Sequence, residues 1–181
     1  MPVQGCIPFH PKAHVTALAG LSLGQEFVDP STGYFYRLYQ IDTACVNDVI
    51  ANGNALGFQA ENVVTNTASR YLISTTYPVA AGVANLGTGN TIPESTSSVT
   101  RYMLVLVEGY HAAVLTDGGG DIVANECVVL DGATDGKVDR LLHTTDSADS
   151  TVFEVMHGST IGRATADDSA SAVAVKVCVR R

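Results

Sequence analysis

The sequence predicts an all-β fold: a small β-barrel or sandwich with an extended N-terminal arm and little helix. Three observations predict it. Short apolar or alternating runs recur along the 181 residues, Gly- and Asp-rich turn signals separate them, and no long amphipathic helical pattern appears. No fixed-period repeat is present, which argues against a solenoid or propeller. The length suits one domain, or at most two small ones, and is enough to bury a core without disulfides or metal.

The elements follow in chain order. Residues 1–20 read as an extended arm, because Pro2, Pro8 and Pro11 push the residues before them toward extended backbone, and Ile7 and Phe9 give the arm apolar anchors. Tyr34–Ile41 is aromatic and alternating, a strand with both faces apolar or amphipathic. Asp42–Ala51 reads in two ways. Cys45, Val46, Val49 and Ile50 fall at helical spacing behind a potential Asp42 cap, and a loop with a short strand fits as well. Tyr71–Tyr77 is a strand stopped by Pro78. Gly87–Ser98 is a surface loop by composition. Arg101–Tyr110 is the most apolar strand, continued by Ala112–Leu115, and Thr116–Asp121 is a turn in which Gly supplies positive φ. Glu126–Leu130 and Thr151–Met156 are strands. In the last strand Val173, Val175, Val177 and Val179 alternate with Ala174, Lys176, Cys178 and Arg180, so one face buries four valines.

Charge narrows the function. Asp, Glu, Lys and Arg make up 15% of the residues, against a usual value of about 25%. The balance is acidic, with 18 Asp+Glu against 10 Lys+Arg and a net charge of −8. Such a surface repels phosphate, and only Arg180 and Arg181 form a basic pair, which excludes nucleic-acid binding as the main task and adsorption to anionic membranes. No apolar run approaches the roughly 20 residues of a spanning helix. Met1–Cys6 lacks the basic and apolar regions of a signal peptide, so synthesis and use in a cytoplasm are expected. Cys6, Cys45, Cys127 and Cys178 show no metal spacing and read as free, mostly buried thiols.

The motifs that resemble catalytic or metal sites fail on context. Gly20-Leu21-Ser22-Leu23-Gly24 matches G-x-S-x-G, but no helix opens after Ser22, where Pro30–Gly33 makes a turn. His10 and His14 are four apart, but Pro8 and Pro11 oppose a helix there. Asp131–Asp139 resembles a calcium loop, yet Ala133 and Leu142 stand where carboxylates are required. His111, His143 and His157 are scattered. No catalytic residue, metal ligand or cofactor site is expected, and the chain reads as a non-enzyme.

The stretch from Val79 to Val179 carries a resemblance. It contains Gly82-Val83-Ala84, then Val105-Leu106-Val107-Glu108-Gly109, Ala124-Asn125-Glu126, Ile161-Gly162-Arg163-Ala164 and the valine strand. In this order it resembles the head decoration (capsid cement) proteins of tailed bacteriophages, whose pattern is G-V-A, V-x-V-x-G, A-G-D-x-V, I-G-x-A and a final alternating strand. The usual A-G-D is Ala124-Asn125-Glu126 here, which keeps a turn and an acid. Weaker echoes lie at Leu23–Phe27 and Tyr34–Tyr39.

The resemblance implies a structural protein on the outer capsid surface of a virion, assembled in the host cytoplasm. Its partners would be the major capsid protein and copies of itself, a trimer being favoured over a dimer. It also implies three parts: an arm (1–20), a β-rich N-terminal part (21–78) and a β core (79–181). The expected capsid contact is Ile7, Pro8, Phe9, His10, Pro11 and His14, since such arms act by strand addition. A virion tail, fibre or receptor-binding β module is the alternative.

Overall fold

The computed structural model describes residues 5–68, 72–74, 77–118, 122–131, 134–141, 159–169 and 171–179, with backbone alone for 72–74 and 77–78. It is all-β. The strands are β1 (Gly5–Cys6), β2 (His14–Val15), β3 (Glu26–Val28), β4 (Phe35–Ile41), β5 (Val49–Ala51), β6 (Ala55–Ala60), β7 (Val63–Thr65), β8 (Leu72–Ser74), β9 (Tyr77–Pro78), β10 (Ala80–Val83), β11 (Thr91–Pro93), β12 (Tyr102–Leu115), β13 (Cys127–Leu130), β14 (Val138–Arg140), β15 (Thr160–Ala164) and β16 (Ala172–Cys178). A 3₁₀ turn spans Val46–Asp48.

Five strands close a barrel. β4 pairs with β7, β7 with β6, β6 with β10, β10 with β12, and β12 returns to β4. Closure leaves none of the five with an open ladder inside the ring. Residues of one parity fill the interior: Tyr39 and Ile41, Leu56, Val64, Ala81, Met103 and Val105 share one buried cluster. Cys45, Ala84 and Leu86 from loops and Ile50 and Ile92 from the β5–β11 pair belong to the same cluster and plug one end.

The other face of these strands packs on a second layer, with a register shift in β10 letting Val83 join it although Ala81 faces the interior. Tyr36, Leu38, Ala55, Val83, Leu104 and Leu106 pack in a second cluster with Val128, Leu130, Val138, Ile161 and the valines of β16. That layer is the antiparallel run β12–β16–β15–β13–β14. β12 belongs to both layers: Glu108 is paired with Phe35 of β4 on one side and with Cys178 of β16 on the other.

Two motif glycines are explained by close approach. Gly82 has φ 140°, and a Cβ there would strike the Leu106 carbonyl oxygen and sit 2.7 Å from Val105 Cγ1. A Cβ on Gly162 would strike the Lys176 carbonyl oxygen of the neighbouring strand. Backbone that approaches this closely accepts only Gly.

Several expectations change. Asp42–Ala51 takes the loop-and-strand form: Asn47 has φ 54° inside the 3₁₀ turn, and β5 pairs with β11. All four cysteines are free, but only Cys45 is buried; Cys6 and Cys178 are exposed and Cys127 is half-buried. Each of these three falls on the less buried parity of its strand, where alternation turns the side chain away from the core whatever its type. The barrel takes β4, β6 and β7 from before residue 78 and β10 and β12 from after it, so both stretches share one core. The expected strand Thr151–Met156, His143, His157 and Arg180–Arg181 lie outside the described residues.

Candidate interaction surface

The arm lies on its own chain. β1 pairs in parallel with β3, and the Ile7 N–H donates to the Val28 carbonyl at 3.2 Å. Ile7 and Phe9 are half-buried against the core. Pro11 is buried, and His14 is half-buried on β2 opposite Met103. Pro8 and His10 point outward and are exposed. Of the six expected contact residues, these two present free surface. His10 Nδ1 accepts the Lys12 N–H at 3.1 Å. The His14 pKa is lowered, by burial first and then by Arg101. Among the described residues no group of three metal-ligating side chains occurs. Ser22 sits in an exposed turn before β3, its N–H bonded to Gln25 Oε1 at 3.2 Å, and not in a strand-to-helix elbow.

The unplugged end of the barrel opens into a cleft of about 470 Å³ lined by Gly24, Arg37, Tyr39, Phe58, Glu61, Asn62 and Val79. Tyr39 and Phe58 meet edge to face, ring centroids 5.1 Å apart, a geometry favoured by aromatic quadrupoles. Arg37 Nη2 lies 3.3 Å from Glu26 Oε2, its cross-strand neighbour. Burial raises the Tyr39 pKa. A deeper pocket of about 80 Å³ reaches Ala81 and Val179. The cleft suits an apolar or aromatic group carrying one polar end.

The plugged end is held by polar side chains bonded to backbone. Asn66 Oδ1 accepts the Val46 N–H at 2.9 Å, while its Nδ2 donates to the Val49 carbonyl at 2.9 Å and to Asn54 Oδ1 at 3.0 Å. In the described part of the calcium-like loop, Asp135 Oδ1 accepts the Ala68 N–H at 2.6 Å, and the Gly136 carbonyl accepts the Ala55 N–H at 2.8 Å. Glu94 Oε2 accepts the Cys45 N–H at 2.7 Å, and burial pushes the Cys45 thiol up to about 11.

His111 is 5% exposed. Its Nδ1 accepts the Ala113 N–H at 3.2 Å, which leaves the proton on Nε2, 3.3 Å from Asn52 Oδ1. Burial lowers its pKa below the ordinary 6.5. The unfolded chain therefore binds this proton more readily, so the stability from neutral His111 is complete above 6.5 and is lost as pH falls below it. The melting temperature of His111→Gln is expected to decline less steeply than that of the parent between about pH 7 and pH 5; equal slopes in a thermal-melt series would reject this.

One sheet face is broad and only partly covered. Register places Cys6, Val28, Phe35, Glu108 and Cys178 in a row across β1, β3, β4, β12 and β16. A second row holds Tyr110, Lys176, Arg163 and Cys127. Sequence reading missed both rows, because only strand register brings these distant positions together. Comparison with protein-family models, curated proteins and solved structures gave no significant match to this chain.

Proposed function

We propose that the chain is a capsid decoration protein that binds the outer surface of a phage head and stabilises contacts between major capsid subunits, as a homo-oligomer. The observation that carries this reading is the order of the resembling segments. Gly82–Ala84, Val105–Gly109, Ile161–Ala164 and Val173–Val179 fall on β10, β12, β15 and β16 or directly beyond their ends, so the likeness follows one continuous structural unit. The broad outer face, the acidic balance and an arm with outward Pro8 and His10 agree with an externally bound protein.

The purified chain, added to heads that lack it, is expected to bind at micromolar concentration and to raise their disruption temperature. Heads left unbound and unstabilised overturn the reading. A Pro8→Asp/His10→Asp variant keeps the Ile7 and Phe9 packing, so it should melt like the parent yet bind heads about tenfold more weakly. Unchanged binding removes the arm from the contact. The second reading, a tail, fibre or receptor-binding module, is favoured by the aromatic cleft at the barrel mouth. Immunogold labelling on tails and not heads would select it.

A further inference from the structure

Two large apolar side chains are exposed among the described residues, Tyr110 at 44% and Val123 at 47%. Tyr110 stands in a row with two cations, and Val123 stands on a turn held by two carboxylates. Tyr110 is opposite Lys176, and Lys176 is opposite Arg163. Both cations are exposed, and neither forms an ion pair among the described residues. Like charges placed directly across a ladder repel, and a carboxylate on this face, Glu108, stands in the adjoining row opposite Cys178.

Val123 lies on a turn bounded by carboxylates. Its N–H donates to Glu126 Oε2 at 3.0 Å, and the Ala124 N–H donates to Asp167 Oδ1 at 2.9 Å. The two patches adjoin, because Arg163 Nη1 donates to the Asn125 carbonyl of that same turn at 2.6 Å.

We propose that a second copy of this chain covers this face, the Val123–Glu126–Asp167 turn of each copy seated on the Tyr110–Lys176–Arg163 row of the other. Charge complementarity selects this occupant, since the chain itself carries both halves of the match. Adjoining patches select two-fold symmetry: one rotation crosses them and satisfies both at once, whereas a ring needs its two patches on opposite flanks. Tyr110 supplies the rigid aromatic anchor such contacts use. A standard interface takes roughly 800 Å² per partner, about a tenth of the 8853 Å² surface here. The inference deepens the homo-oligomer part of the proposed function, and its test needs no capsid.

Multi-angle light scattering of the purified chain at micromolar concentration is expected to give a dimer. Lys176→Glu sets a carboxylate of the row against the acidic turn, and Asp167→Lys sets an ammonium of the turn against the basic row, so each variant alone should be monomeric, with association weakened about a hundredfold. An equimolar mixture of the two is complementary at both contacts and should dimerise again. Tyr110→Ser, which leaves every charge in place, should weaken the parent dimer. A monomeric parent, a trimer, or variants that stay dimeric while melting like the parent overturn the proposal. So does a mixture of folded variants that stays monomeric. If a charge variant fails to fold, Tyr110→Ser decides by the same readout. A dimer that leaves heads unbound would sink the capsid reading and spare this one.

Discussion

Replacing Gly162 by Val is expected to lower the unfolding free energy by about 3 kcal/mol, the upper part of the range for forced overpacking. Gly162 is central to the second layer, paired with Val177 on one side and Val128 on the other. A side chain there meets the Lys176 carbonyl oxygen and lies 3.0 Å from the Val177 Cα. Both are backbone, so no rotamer change relieves the overlap and β15 must separate from β16. In a chain of this size about 3 kcal/mol corresponds to roughly 6–12 °C in melting temperature. A calorimetric Tm within two degrees of the parent would show that the layer yields where the geometry says it cannot.

Leu56→Ala is expected to cost about 2–5 kcal/mol. Leu56 is fully buried inside the barrel, among residues from β4, β7, β10 and β12. Its surroundings cannot collapse into the space, because every wall of the ring is a ladder joined to the next. The loss therefore belongs near the top of the range, and a urea unfolding curve should show a lower midpoint with an unchanged slope. A cost below about 1 kcal/mol would mean that the interior closes around the missing atoms.

Strand parity was legible and closure was not. The alternating valines of β16 declare their buried face, because an antiparallel strand with one face in solvent writes its pattern locally. The ring closes through a parallel pairing of Gln40 and Ile41 with Val63 and Val64, and no short-range pattern announces it. Asp42–Ala51 shows local spacing losing to tertiary bonds. Cys45, Val46, Val49 and Ile50 suit a helix, yet Glu94 and Asn66 take the Cys45 and Val46 N–H groups, so the segment bends into loop and strand.

The candidate surfaces were legible only in part. Pro8 and His10 were named from the sequence and face outward, while their neighbours Ile7, Phe9 and Pro11 are engaged by the chain's own body. The Tyr110–Lys176–Arg163 row could not be foreseen, since its members come from three separate strands. The glycines behind the resemblance have a plain physical origin. At Gly82 and Gly162 the backbone leaves no room for a Cβ, so any sequence adopting this topology must keep them.

The 14-residue β12 has a further consequence for how the molecule comes apart. Its first half is a stave of the barrel and its second half a stave of the outer layer, without a break in the chain. Neither layer can melt alone without fraying a strand the other needs. Amide exchange at Leu104–Leu106 should therefore proceed only through global opening, at one common free energy, while β1 and β2 exchange through local detachment.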